Sequence, residues 1–481
     1  MIANRRELAR LHSDRSSRMV LAALEAAVES VRPATLVGRA IKFNRKLSVR
    51  DVYGRTIRLR KFDCVYVVGA GKAAPGMAEA LCPILHGKVA AGAITVPYGT
   101  KAKIKGVSVT QASHPVPDRS GVEGTIKILN VLKKAQKDDL VFVLISGGGS
   151  ALMPLPAPGV SLADKQKITN SLLRSGASIH EMNAVRKHLS AAKGGQLLRH
   201  VDKSCTVVSL ILSDVVGDDF EVIASGPTCP DRSTFADALK ILRKYRIKSP
   251  DAALEHIAKG ARGEIHETPK PRDPTFSRVH NVLIGNNSIA CAGAVSYLKK
   301  RGMQAAHLGS AFDGEARNFG VFLARLASDL GGKPFAAVAG GETTVRLGKS
   351  RSGVGGRNQE AALACMMELR RHDVTVAFMG TDGIDGNSDA AGALVSPKTV
   401  SLAARMDLKK YRDSHDSHRA FKKLRSLIFT GYTGTNVNDI AILCGLPTNN
   451  VISKAELKQL EAKIQRKARQ HLRATSKTDS R

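Results

Sequence analysis

The sequence predicts an α/β protein built as two domains, and three observations lead there. Its 481 residues exceed what one hydrophobic core ordinarily serves. Apolar runs of strand length alternate with segments of helical periodicity, the pattern of sheets with parallel segments flanked by helices. Glycine-rich turns recur at the ends of apolar runs or the starts of helical ones: Gly69-Ala70-Gly71-Lys72, Ser146-Gly147-Gly148-Gly149-Ser150 and Gly355-Gly356-Arg357. The 43 glycines and the 43% hydrophobic content suit such a fold.

Apolar residues at helical spacing predict a helix over Met19–Val31, stopped by Pro33 and packed on the first domain. Strands are expected at Cys64–Val68, Ala93–Val96, Leu140–Ile145 and Thr206–Leu212. The first leads into a helix ending near Leu85. Capping boxes at Ser161/Asp164 and Ser178/Glu181 start two more helices, the second running to Leu198 with Gly194-Gly195 as a weak point. A first domain over 1–260 follows. Residues 261–278 are polar and hold three prolines, so they read as a linker. The second domain, 279–447, opens with a strand at His280–Ile284 and a helix at Ser288–Lys300, and continues with strands at Ala336–Ala339, Val374–Met379 and Leu427–Thr430. A basic helical tail over 448–481 starts from a third capping box, Ser453/Glu456.

Composition narrows the function classes. No apolar run reaches the ~18–20 residues that span a bilayer. Met1–Arg18 lacks the apolar core of a secretory signal, and Glu7 and Asp14 argue against a transit peptide. Seven scattered cysteines without a CxxC pair point to reduced thiols in a cytoplasmic protein. The formal charge of +32 is spread over the whole chain, while tryptophan is absent and aromatics make up 4%. Without a base-stacking platform the charge reads as general basicity, and a nucleic-acid partner is not expected. A positive field also favours anionic substrates.

The turns carry the chemistry. Gly69-Ala70-Gly71-Lys72-Ala73-Ala74 fits the dinucleotide fingerprint, which wants an acid ~20 residues on to bind a ribose. No Asp or Glu stands between Glu79 and Asp118, so the nicotinamide reading is weak, and the Walker A pattern is unmet. An anion cradle with Lys72 at a helix N-terminus remains, beside a plain tight turn with an exposed lysine. Ser146, Gly147, Gly148, Gly149 and Ser150 follow a buried strand and read as an anion-binding loop, beside a plain flexible loop as the alternative. Asp214, also past a strand end, suits Mg²⁺ or a hydroxyl proton, or else an N-cap or Asx turn. Asn183, Arg186, Lys187 and His188 lie close together on one helix, where a solvated charged face is the default expectation.

In the last third, Arg357 follows two glycines and suits a bidentate grip on phosphate or carboxylate. Gly341, Glu342, Gly356, Asn358 and Asp382 are candidate nucleotide contacts, and Asp214, Glu342, Asp382 and Asp385 candidate metal ligands. Gly431–Asp439 is a further polar loop at a strand end.

Long stretches then resemble a known family. They are VVGAGKAAPGMAEAL, the run from LISGGGSALMPLP to HLSAAKGGQL, ILSDVVGDDFEVIASGPTCPD, GGETTV, GVGGRNQEAALA, MGTDGIDGNSDAAGAL and FTGYTGTNVNDIAI, spread between Val65 and Ile442. Together they resemble the class II glycerate 2-kinases. That resemblance implies a Rossmann-like N-terminal domain plus a smaller α/β MOFRL-type C-terminal domain, working as a cleft, and is compatible with a homodimer. It implies transfer of the ATP γ-phosphoryl group to the 2-hydroxyl of D-glycerate with Mg²⁺. It casts Lys72 and Arg357, from opposite domains, as the residues meeting transition-state charge, and the chemistry of phosphoryl transfer leaves Asp214 to orient the hydroxyl or its metal ion. Gly69, Gly71, the 146–150 loop, Asn183 and Arg186 are the expected substrate or phosphate contacts. Competing readings are an NAD(P)H-dependent hydroxypyruvate reductase and a basic nucleic-acid-binding protein.

Overall fold

The computed structural model describes residues 1–329, 334–347, 353–369, 373–446 and isolated positions of the tail. The expected capping box at Ser453/Glu456 lies outside the described residues. The chain divides into two compact units, Pro33–Gly285 and Met1–Arg32 with Asn286–Arg481.

The first unit holds a six-stranded, all-parallel sheet. Its strands are β1 (Val65–Ala70), β2 (Val89–Pro97), β3 (Val107–Ala112), β4 (Leu140–Ile145), β5 (Thr206–Leu212) and β6 (Val279–Gly285). They lie in the order β3-β2-β1-β4-β5-β6, the doubly wound order of the Rossmann-like domain that the family resemblance implies. All six residues of β4 are buried, as a strand covered on both faces requires. Strand order reverses between β1 and β4, whose last residues Ala70 and Ile145 pair. The two glycine loops after these strands therefore flank the switch point, where open α/β sheets leave a crevice for ligands.

Both capping boxes form in this unit, starting the helices Leu162–Arg174 and Ile179–His188. The second stops at His188, ten residues before the expected Leu198. Ser190 pairs with Pro156 in an isolated bridge, and Gly194 and Gly195 take left-handed φ of +58° and +77°, outside the helical range. The expected linker is also corrected. Residues 261–278 are tied into this unit: Glu267 accepts from His188 and the Phe235 amide, and Thr268 donates to Asp231. The strand expected to open the second domain is β6, which pairs with β5 and completes the first sheet. Three prolines marked irregular backbone, not independence.

The second unit has a mixed six-stranded sheet of β7 (Ala305–Phe312), β8 (Phe335–Gly341), β9 (Val374–Gly380), β10 (Gly392–Val395), β11 (Leu427–Ile428) and β12 (Asp439–Gly445). The order is β7-β8-β12-β9-β10-β11, and β12 runs antiparallel to both neighbours. Every residue of β8, β9 and β12 is buried. Phe312, Phe335, Phe378 and Phe421 are fully buried large side chains of its core.

The N-terminal helix, expected on the first domain, belongs to this second unit. It spans Arg15–Ser30 and packs on Asn287–Lys300, while Ser16 and Ser17 meet Thr375 of β9 at 2.8 and 3.1 Å. Its apolar stripe announced burial without naming the surface that buries it. Among the described residues no helix is long and apolar enough to cross a membrane. All seven cysteines are free thiols.

Candidate active site

In the parallel-sheet unit the two glycine loops are sewn together. The Lys72 amide donates to the Gly147 carbonyl at 2.9 Å, and the Ala73 amide to Ser146 Oγ at 3.0 Å. Gly69, Gly71 and Lys72 thus stand beside Ser146–Ser150, as the sequence suggested. Gly148 has φ +84° and caps a one-turn helix, Gly149–Leu152. A Cβ there would lie 3.0 Å from the His114 ring and 3.6 Å from Lys72 Cγ, so both side chains close on this turn. Asp214 follows β5 by two residues, at the same end of the sheet, beside a Ser213 whose hydroxyl bonds the Val215 backbone.

Behind Ser150 runs a buried polar chain. Lys193 Nζ donates to the Ser150 carbonyl (2.8 Å) and hydroxyl (3.0 Å). Ser150 Oγ lies 3.0 Å from Ser225 Oγ, which donates to Asn183 Oδ1 at 3.2 Å. The solvated-face expectation for this helix is overturned: Asn183, Lys187 and His188 are at most 5% exposed. Two of them serve the fold. Lys187 pairs with Asp231 and Glu221 at 3.3 and 3.5 Å, and His188 Nε2 meets Glu267 at 3.0 Å. Burial pushes the Lys165 ammonium down to about 7, helped by the charge of Arg186, and pushes Lys193 well down, with Lys165 and Arg186 adding to the effect.

In the mixed-sheet unit Arg357 opens the helix Arg357–Glu368 and is held by two acids. Its Nε donates to Asp439 Oδ2 at 2.5 Å, Nη2 to Asp439 Oδ1 at 3.3 Å and Nη1 to Glu342 Oε1 at 2.9 Å. Burial opposes its charge, yet Asp439 and Glu342 hold its pKa above the ordinary guanidinium value. Burial in turn raises Glu342, with Asp439 and Asp382 adding like charge against the pull of Arg357. Burial likewise raises Asp439.

Asp439 was not among the expected site residues. It is the first residue of an antiparallel strand, paired with Gly341 and with Gly380, so it sits among the last residues of β8 and β9. The polar run Asn436-Val437-Asn438-Asp439 ahead of an apolar strand was visible in sequence. Its strand's reversed direction, which brings Asp439 to the same edge as Glu342, was not.

Asp385, expected as a metal ligand, has another task. Its carboxylate accepts the Asn358 and Gln359 backbone amides at 3.0 and 2.9 Å, and both their side-chain amides. Gly356, the N-cap, lacks a side chain to do this, and a Cβ there would come within 2.3 Å of Asp385. Asp385 therefore caps the helix from outside. Burial raises its pKa to about 6, with Asp439 adding like charge, against the hydrogen bonds from Asn358 and the Gln359 backbone amide. Asn358 Nδ2 also donates to Asp439 at 2.8 Å, so it supports the carboxylate that holds Arg357. Asp382 accepts the Ile384 amide at 3.2 Å.

Among the described residues no group of three or more His, Cys, Asp or Glu closes into a metal-chelating cluster. Mg²⁺ commonly needs only one or two protein carboxylates, with phosphates and waters supplying the rest. Glu342, Asp382 and Asp439 influence one another against a single arginine, a surplus of oxygen-borne negative charge that fits such an ion.

Comparison with known proteins identifies the family. Residues 19–258 match the family described as a domain of unknown function (DUF4147), and residues 335–439 the MOFRL family. A glycerate 2-kinase of Pyrococcus horikoshii is 40% identical, covering 86% of this chain and 94% of that protein. A provisionally named hydroxypyruvate reductase of Agrobacterium vitis is 41% identical over 79% of this chain and 99% of its own length. The crystal structure of a Thermotoga maritima glycerate kinase superposes with a TM-score of 0.78 at 38% identity, covering 89% of this chain and 99% of that one. With both family regions matched in order, and relatives followed nearly end to end, the chain belongs to the glycerate 2-kinase family with a MOFRL domain.

Proposed function

We propose that the protein transfers the γ-phosphoryl group of ATP to the 2-hydroxyl of D-glycerate, giving 2-phosphoglycerate and ADP. The observation that carries this reading is the fixed guanidinium of Arg357, set by Asp439 and Glu342 among the last residues of β8 and β9. Phosphoryl transfer asks for positioned positive charge against the equatorial oxygens and little covalent help. Arg357 supplies that charge without reorganising. Lys72, on the loop stitched to Ser146 and Gly147, supplies a second point charge. The new bond joins the glycerate oxygen to phosphorus as the bond to the β,γ-bridging oxygen breaks. Asp214 orients the hydroxyl and receives its proton. Glu342 and Asp382 would hold Mg²⁺, which when bound offsets charge on the β- and γ-phosphates. Gly341, Gly356 and Asn358 border the nucleotide. A cytoplasmic setting and a homodimeric assembly complete the proposal, the first supported by seven free thiols.

The name of the Agrobacterium vitis relative favours a second reading, reduction of hydroxypyruvate. It lacks the acid a nicotinamide ribose needs. β2 ends at Pro97, and the next acid along, Asp118, is occupied by the Gly121 amide at 3.0 Å and the Tyr98 hydroxyl at 2.6 Å.

One assay separates the readings. Protein, D-glycerate, ATP and Mg²⁺ are coupled directly to enolase. A signal without added mutase is expected and identifies 2-phosphoglycerate. A signal only with mutase would refute the regiochemistry, and hydroxypyruvate-dependent NADH oxidation without any phosphorylated product would replace the kinase reading.

A further inference from the structure

Three basic side chains of the parallel-sheet unit lie together with no acid among their partners in the described residues. Lys165 and Lys193 are 7% and 2% exposed, and Arg186, half-buried, acts electrostatically on both. Lys165 Nζ donates to the Pro154 carbonyl at 2.8 Å, and Lys193 to Ser150 as described. Among the described residues the Arg186 guanidinium has neither a hydrogen bond nor an ion pair. One helical turn before it, Asn183 is 4% exposed, and its Nδ2 has no acceptor although its Oδ1 is engaged.

The cluster is thus all donors. Burying like charges without a counter-ion is costly, and an unmet buried amide adds to that cost. Deprotonation would relieve the two lysines and reduce this to a structural oddity. It cannot relieve Arg186, which stays charged in proteins. A fold that keeps a charged guanidinium, two buried lysine amines able to take up protons and a spare amide donor side by side is complementary to a compact oxyanion.

We infer that Arg186, Lys165, Lys193 and Asn183 form the subsite for the carboxylate of the acceptor, a small 2-hydroxy acid; the inference rests on the glycerate reading above. Two features favour the acceptor carboxylate over a phosphate of the donor. A planar carboxylate matches the guanidinium fork of Arg186 and still has lone pairs for an amide donor. The lysines are buried, as suits a small monoanion better than a polyphosphate. Ser150 links this cluster to the loop whose Gly148 lies beside Lys72. The carboxylate would be gripped behind that loop, leaving Lys72 for the phosphoryl group.

Arg186→Gln tests this in the full-length protein, since a half-exposed side chain without partners can be changed without unfolding. Calorimetric titration with D-glycerate, without ATP, should show affinity reduced at least about thirtyfold, as expected for losing one partner of a largely desolvated charge pair. The KM for ATP should stay within about twofold on the same grounds. Asn183→Asp, nearly isosteric but adding a negative charge, should weaken glycerate binding as well. Glycerol, which lacks the carboxylate, should bind neither wild type nor variants measurably. Unchanged glycerate affinity with a raised KM for ATP, or with inorganic phosphate binding lost, would hand the cluster to the donor and overturn the assignment. Unchanged constants for both substrates would make the cations structural. If wild type binds D-glycerate through Arg186 but phosphorylates nothing, the subsite stands and the kinase reading falls.

Discussion

The two units arrange charge in opposite ways. In the mixed-sheet unit one guanidinium is enclosed by acids: Asp439 and Glu342 bind Arg357, and Asp382 adds further negative charge. In the parallel-sheet unit three cations crowd together without a carboxylate partner. A group fixed by its own counter-ions is preorganised for charge that develops during the reaction. A group buried without them is suited to a ligand that brings the charge with it. On the function proposed above, the first design would serve turnover and the second affinity, and substitutions can separate them.

The largest expected effect is on Arg357. Arg357→Ala should lower kcat by about a thousandfold or more, the scale associated with a transition-state arginine in phosphoryl transfer. Arg357→Lys should rescue little, because an ammonium cannot span Glu342 and Asp439 together. Steady-state kinetics of both variants decide this, and an alanine variant within tenfold of wild type would dismantle the comparison. Asp439→Asn comes next. It leaves the guanidinium in place but loosens it, so kcat should fall by about ten- to a hundredfold while the KM for glycerate holds.

Parts of the candidate site in each unit were legible from residue types at strand ends. Lys72, Ser146–Ser150 and Arg357 could be picked out because glycines before or around a polar residue, next to an apolar run, mark places where backbone approaches a ligand. Asp439 escaped because its importance depends on β12 running antiparallel between β8 and β9, a fact of pairing that no local pattern encodes. Lys165 and Lys193 escaped for a related reason. A lysine on an amphipathic helix or in a loop reads as solvated until the tertiary fold buries it. The strand at 279–285 was seen, but its neighbour was not, because sheet membership depends on contacts with residues some seventy positions earlier. Asp385 was noticed as an acid in a glycine-rich turn and given the wrong task, since a metal ligand and an external helix cap look alike in sequence.

That last ambiguity yields a stability prediction. Asp385→Ala removes the acceptor of four hydrogen bonds at the start of the Arg357–Glu368 helix, and should cost about 2–4 kcal/mol in urea unfolding. The Mg²⁺ concentration for half-maximal activity should move little in whatever fraction stays folded. A large shift in Mg²⁺ requirement with unchanged stability would restore Asp385 to the metal site.

The smallest effect is a pH dependence arising in the parallel-sheet unit. Burial, with Arg186 on the neighbouring helix, lowers Lys165 to about 7, and Lys193 beside it is lowered too. The folded pKa lies below the unfolded one, so between pH ~7 and ~10.5 the unfolded chain holds a proton that the folded chain has released. The stability contribution of Lys165 therefore improves as pH rises through that window. Substrate binding should run the other way. A bound carboxylate favours the ammonium form, so glycerate binding should take up protons above pH ~7, and its KM should rise by up to about tenfold per unit per coupled group. Lys165→Met should raise KM and blunt the rise, leaving what Lys193 contributes. Titrations in buffers of different ionisation enthalpy measure the proton uptake directly. If uptake is zero and the KM is flat from about pH 6 to 9, the lysines do not meet the substrate's charge, and Arg186 alone is left to set against Arg357.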